Sequence, residues 1–194
     1  EIVAVEIQDR KGPITVDKDE EPGAAKFDKI PGLKPAFDKE GTITAANASK
    51  INDGAAALVL MSETKMKEKN LKPLARVVAY ASFAQDPKWF TTAPVGAMKA
   101  TLNKANLKVA DIDLWEINEA FSNVTMAAQK ELEIPSDRVN VHGGAVAIGH
   151  PLGASGARIL TTLVHALKTH NKRYGMASLC IGGGEGIAMI IERM

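Results

Sequence analysis

From residue 73 onward, strand-like and helix-like apolar patterns take turns along the chain, and this alternation constrains the fold more than any other feature. Residues 74–81 are an apolar run of strand length, and Val95, Met98, Leu102 and Ala105 then recur at helical spacing, with Thr92 and Pro94 marking the start. Residues 112–117 read as a second strand. A helix is expected over about 119–132, with Ala120, Val124, Ala127 and Ala128 on one side. Another is expected over 154–168, with Ala157, Leu160, Val164 and Leu167 facing the core. Two apolar runs, 176–181 and 187–191, flank a glycine-rich connection and read as a hairpin. Alternating strands and helices predict an α/β layered domain.

Upstream the pattern is weaker. Residues 1–7 alternate like a strand, and residues 17–23 and Pro31, Gly32 and Pro35 predict loop-rich structure packed on something larger. Asn52, Asp53 and Gly54 are a turn signal, residues 55–61 an apolar run of strand length, and Ser62 is placed to cap a short helix ending near Asn70. A boundary is expected near residues 72–73.

Two clusters carry chemistry. Residues 141–158 surround His150 with glycines, and Pro151 restricts His150 to an extended backbone. A histidine so placed either closes a loop or is held for catalysis. The chain's one cysteine, Cys180, ends an apolar run and is followed by Gly182, Gly183 and Gly184, whose backbone N–H groups can donate to a developing oxyanion. A thiol, an imidazole and open amides are the components of acyl transfer. Asn118 falls where a strand gives way to a helix, a position that suits a helix cap or a ligand contact in an open α/β sheet.

Residues 118–121 (Asn-Glu-Ala-Phe), the Gly-Gly-x-x-x-x-Gly-His-Pro-x-Gly-x-x-Gly stretch of residues 143–156, and Cys180-Ile-Gly-Gly-Gly resemble the three signature motifs of the carboxy-terminal half of thiolases. Residues 47–57 resemble a fourth, and the match is strongest to the biosynthetic, acetyl-CoA acetyltransferase type. The resemblance implies a layered α-β-α-β-α fold. Residues 1–50 would end a loop domain that covers coenzyme A, 51–71 would supply the last strand and helix of the amino-terminal domain, and 72–194 would form the carboxy-terminal domain.

It also implies roles. Cys180 would be the acid/base, His150 with an Asn118-held water the enolate hole, and the Gly182 N–H the hole for the tetrahedral intermediate. Ala48, Ser49, Ala120 and Phe121 would line the pantetheine channel. The implied reaction is the reversible condensation of two acetyl-CoA to acetoacetyl-CoA and CoA through an acyl-cysteine. Coenzyme A thioesters are the substrates, and no other cofactor is implied. Thiolases use two cysteines, and the context of Cys180 matches the proton mover. The acyl carrier is therefore expected on an amino-terminal thiolase half outside these residues, in a dimeric or tetrameric homo-oligomer. The alternatives are a degradative 3-ketoacyl-CoA thiolase and a non-catalytic acyl-CoA-binding module.

Composition narrows the rest. The 194 residues balance 24 Lys and Arg against 23 Asp and Glu, both signs scattered, which leaves no basic footprint for nucleic acid. No run approaches the ~20 apolar residues that span a bilayer, and a soluble protein is expected. One cysteine fits a reducing compartment, the cytoplasm or an organelle matrix. His142, His165 and His170 are not grouped with cysteines or carboxylates, so no metal site is expected, and the role of His142 is left open. No phosphate-binding G-x-x-x-x-G-K-[ST] motif is present. Glu1 opens inside a strand pattern without an initiator methionine, as expected of a fragment or processed chain.

Overall fold

The computed structural model describes residues 2–194, in two compact units, residues 1–34 and residues 35–194. The first unit is a hairpin followed by short helical turns. Strand β1 (Val5–Asp9) pairs antiparallel with β2 (Gly12–Val16), with Val5 opposite Val16 and Ile7 opposite Ile14. Only one strand was expected here, because β2 opens with Gly12 and Pro13 and carries too few alternating residues to stand out. The first residue of the expected strand, Glu1, lies outside the described residues. Helix α1 (Glu21–Ala24) and a 3-10 turn (Phe27–Gly32) complete the unit.

In the second unit, α2 (Glu63–Glu68) is capped as expected, the Ser62 hydroxyl accepting from the Lys65 N–H at 3.2 Å. Residues 55–61 depart from expectation. They form no strand, and Val59 and Leu60 are 87% and 68% exposed. A strand exists only where a neighbour supplies hydrogen bonds, and no described segment pairs with this one. Sequence pattern reports the apolar run and not the partner.

The remaining elements are β3 (Ala75–Ala84), α3 (Ala93–Ala105), β4 (Leu114–Ile117), α4 (Ser122–Leu132), α5 (Ala145–Ile148), α6 (Ser155–Thr169), β5 (Tyr174–Ile181) and β6 (Glu185–Arg193). Four strands form one mixed sheet in the order β3-β6-β5-β4. β6 runs antiparallel to both neighbours, whereas β4 and β5 are parallel.

Alternation along the strands divides the core into two layers. Trp115, Ile117, Met176, Cys180, Ala188 and Ile190 pack with Met98 and Leu102 of α3 and Val124 and Ala128 of α4. Leu114, Ala177 and Ile191 face the other way, onto Ile159, Leu163, Ala166 and Leu167 of α6. Helices on both faces of a sheet give the expected α/β layering. The buried stripe of α6 runs through Ser155, Ile159, Leu163, Ala166 and Leu167, with Leu160 and Val164 on its flank. The expected stripe was offset by a residue because apolar side chains occupy both the centre and the shoulder of this helix.

Helix α4 starts at Ser122 rather than near 119. The backbone before it is already engaged, because Ala120 O accepts from Ser49 N (3.1 Å) and Ser122 N donates to Asn47 O (2.9 Å). Those bonds hold Phe121 extended, at φ -141° and ψ 154°. The helix cap is consequently Phe121, and Asn118 has no capping role.

One charged residue of the sheet is fully buried. Glu116, 1% exposed, has Oε2 3.7 Å from Nη1 of Arg158 on α6. Burial pushes its carboxyl up to about 7, against the pull of Arg158 and with a smaller push from Glu119. Because the folded value lies above the unfolded one near 4.5, the contribution to stability is complete below that pH and is lost as pH rises to about 7. Glu116→Gln, which does not titrate, is expected to gain on the parent by on the order of 3 kcal/mol between pH ~4 and pH ~7. Urea unfolding across that range checks it, and parallel stability curves for the two proteins would refute the buried titration.

Candidate active site

The parallel pairing of β4 and β5 brings their C-terminal ends to one edge of the sheet. At the end of β4 the Asn118 N–H donates to Ser178 O at 2.9 Å, continuing the ladder one residue past the strand, and Cys180 lies two residues beyond Ser178. Asn118 is 1% exposed. Its side-chain Nδ2 stands 3.3 Å from Nε2 of His150, and its Oδ1 accepts no hydrogen bond from any described residue.

His150 is tied in place at its backbone and at its ring. Its backbone N–H donates to Lys50 O at 2.8 Å, and its ring Nδ1 lies 2.6 Å from the Ser155 hydroxyl. Gly149 precedes it at φ 91°, and a Cβ there would collide with the Asn52 amide. Only glycine combines that backbone with that closeness. Burial, and secondarily the Arg158 guanidinium, hold the imidazole below the ordinary histidine value. His150 is therefore neutral at pH ~7.

Glu119 braces the loop that carries His150. One carboxylate oxygen accepts from Val146 N at 3.0 Å at the start of α5, and the other from Nδ2 of Asn140 at 3.3 Å. Asn140 in turn grips β4, its amide bonding the N–H and C=O of Ile117 at 2.8 and 2.9 Å. Gly144 leaves room for the Glu119 carboxylate, which a Cβ would strike. The loop and the strand end are thus fixed to each other by side chains that hydrogen-bond to neither Asn118 nor His150.

Ala48, Ser49, Ala120 and Phe121, far apart in sequence, are adjacent. Ala48 and Phe121 form an antiparallel bridge, and the Ser49 hydroxyl donates to Ala120 O at 2.9 Å. Phe121 stacks edge-on against Phe37 at 5.5 Å and packs against Phe90 at 6.5 Å between centroids. The group is a partly exposed surface of small residues and aromatic edges.

Cys180 is 8% exposed and pairs with Gly186 across the hairpin. No cationic side chain lowers the Cys180 thiol among the described residues. Burial instead pushes the thiol up, leaving it protonated at pH ~7. Gly182 lies in the exposed turn after β5, with open space on its Cβ side, and Gly184 N closes the turn onto Ile181 O at 3.1 Å.

Among the described residues no group of three or more metal-ligating side chains occurs, and no helix is long and apolar enough to cross a membrane. His142 meets His170 at 5.3 Å between ring centroids. Sequence reasoning missed Ser155, Glu119, Asn140 and Asn52. Ser155 and Glu119 lie inside the motifs already singled out, so their positions were visible while their partners were not. Asn140 carried a weaker signal, a turn former just before the glycine-rich stretch.

Residues 71–193 match the family model for the thiolase C-terminal domain, and residues 1–64 match that for the thiolase N-terminal domain. An acetyl-CoA acetyltransferase of Yarrowia lipolytica is 55% identical over 194 residues, 100% of this chain and 48% of the relative. The crystal structure of a Bacillus anthracis acetyl-CoA acetyltransferase superposes with a TM-score of 0.91 at 48% identity, covering 99% of this chain and 49% of that one. Human mitochondrial 3-ketoacyl-CoA thiolase in complex with CoA gives 0.83 at 40% identity, covering 97% and 48%. The chain spans about half the length of the relatives it matches. With the C-terminal family model covering more than half of it and with relatives about half identical along its whole length, this chain belongs to the thiolase family.

Proposed function

We propose that this chain supplies the proton-transfer and oxyanion-binding part of an acetyl-CoA C-acetyltransferase, which joins two acetyl-CoA into acetoacetyl-CoA and CoA, or runs the reverse. The observation that carries the reading is the buried approach of Asn118 Nδ2 to His150 Nε2 at 3.3 Å, at the same sheet edge as Cys180. Both side chains can present N–H to one oxygen, directly or through a water. An oxygen in that position carries the negative charge of a thioester enolate, and fixed donors in a water-poor site stabilise it at little reorganisation cost.

Cys180 is the group that moves the proton. The CoA thiolate released when the carrier cysteine is acylated takes the Cys180 proton. The Cys180 thiolate so formed takes the α-proton of the second acetyl group, and the enolate carbon attacks the acyl-cysteine carbonyl. The Gly182 N–H stabilises the tetrahedral oxyanion, which collapses to release the carrier thiolate. A thiol raised by burial holds a proton well at rest and is a stronger base once ionised. The acyl carrier is a second cysteine on an amino-terminal thiolase half, since Cys180 is the one cysteine here. Ala48, Ser49, Ala120 and Phe121 line the pantetheine path, the substrates are coenzyme A thioesters, and the particle is a cytoplasmic homo-oligomer. Residues 1–50, 51–71 and 72–194 correspond to the ends of the loop and amino-terminal domains and to the carboxy-terminal domain.

Supplying this chain with a thiolase amino-terminal half and labelled acetyl-CoA tests the reading. Label on the added half, with acetoacetyl-CoA formed only when both are present, is expected, whereas CoA binding without acyl transfer would leave a binding module. The human thiolase likeness favours a degradative enzyme as the second reading. Rates with acetoacetyl-CoA against longer ketoacyl-CoA substrates separate the two.

Three outcomes follow for the active enzyme. Cys180→Ser is expected to abolish condensation while acyl loading of the other cysteine persists, because a hydroxyl is too weak an acid to exchange the α-proton near pH ~7. An unchanged condensation rate would make Cys180 structural. His150→Ala is expected to lower kcat by on the order of 10² to 10³ with a smaller change in KM, and a loss confined to KM would make it a binding residue. Alkylation of Cys180 is expected to lag a free thiol at pH ~8 and to rise beyond pH ~9, as mass spectrometry would follow. Fast labelling at pH ~7 would show that the enzyme places a cation beside it.

A further inference from the structure

We propose that the Ser155 hydroxyl sets the tautomer of His150, donating its proton to Nδ1 so that the ring carries its own proton on Nε2, facing Asn118. The proposal deepens the reading of this site as an oxyanion hole and rests on it. Ser155 Oγ has one proton and two acceptors in reach, Nδ1 at 2.6 Å and the Pro151 carbonyl at 3.1 Å. The shorter contact lies in the range of a strong O–H donor bond, while the longer one is stretched for such a bond. Pro151 O is moreover already served by the Ala154 N–H at 2.7 Å. Ser155 is fully buried, so water does not replace either partner.

The consequence reaches the far side of the ring. A neutral imidazole has one N–H, and with Nδ1 accepting, that N–H is at Nε2. Nε2 and Asn118 Nδ2 then form two donors 3.3 Å apart, an arrangement satisfied when one electron-rich oxygen lies against both. If the Ser155 proton turned to Pro151 O, Nδ1 would hold the ring proton and donate to Oγ. Nε2 would become an acceptor for Asn118, and the pair would close on itself with no N–H from His150 to offer. One hydroxyl rotor, in the first turn of α6, thus separates an open donor pair from a closed one. Ser155 is a positioning residue, acting through His150.

The test uses the active enzyme, in whatever longer form turns over, with the imidazole nitrogens isotopically labelled. Without substrate, the His150 resonance is expected to show one-bond N–H coupling at Nε2 and none at Nδ1. Ser155→Ala is expected to divide that coupling between the nitrogens and to lower kcat about 10- to 100-fold, as loss of a histidine's orienting partner does elsewhere, with KM within about twofold. Ser155→Thr, which keeps the hydroxyl, is expected to restore the Nε2 signature. A proton on Nδ1 in the parent enzyme overturns the proposal, as does Ser155→Ala with tautomer and kcat unchanged. Should the alanine variant not fold, the parent spectrum and the threonine variant decide. An Nε2 proton in a protein without acyl transfer would support the tautomer while refuting the proposed reaction.

Discussion

The site depends on keeping two polar side chains, Asn118 and His150, buried and face to face at 3.3 Å. Polar groups taken out of water destabilise a fold unless hydrogen bonds replace the lost hydration, and here each is tied from behind. Asn118 is anchored through its backbone to β5, and His150 through Nδ1 to Ser155 and through its N–H to Lys50. What remains open is the side the two present to each other. A pair less firmly held would turn to satisfy itself, and its donors would no longer converge.

The topology explains why such different residues meet. Because β4 and β5 are parallel, both deliver their C-terminal ends to one edge, which places Asn118 beside the end of the strand that carries Cys180. The antiparallel return of β6 puts the glycine-rich turn at that edge too. β3, antiparallel to β6, ends there as well, with Gln85 N donating to Gly184 O at 3.0 Å. An all-antiparallel meander would have sent Asn118 and Cys180 to opposite ends of the sheet.

Much of this was legible in residue pattern. The alternation after residue 73 gave every strand and long helix of the second unit within a few residues, since each has an apolar face that must be buried. His150 and Cys180 stood out because each is a reactive side chain set beside a cluster of glycines. Three things were not legible. The run at 55–61 looked like a strand because apolar residues announce burial, but pairing is a property of the neighbour. Helix α4 was drawn too long because hydrogen bonds from Ser49 and to Asn47, more than seventy residues away, occupy its expected first turn. The raised thiol of Cys180 could not be read either, since local sequence does not report how much of a side chain is buried.

Glu116 shows that the same architecture tolerates a costly residue directly beneath the site. It precedes Asn118 by two positions on β4 and pairs with Arg158, which follows His150 by eight and also depresses the imidazole. A salt bridge buried this deeply rarely stabilises a fold more than apolar packing would, because desolvating both ions offsets their attraction. Its effect is on charge at the site. Arg158 disfavours protonation of His150, while Glu116, raised to about 7, only partly cancels that positive field near neutrality. A cationic imidazole would offer an N–H from both nitrogens and would no longer accept the Ser155 proton. Keeping His150 neutral therefore preserves the hydrogen-bond direction on which the Asn118–His150 donor pair depends.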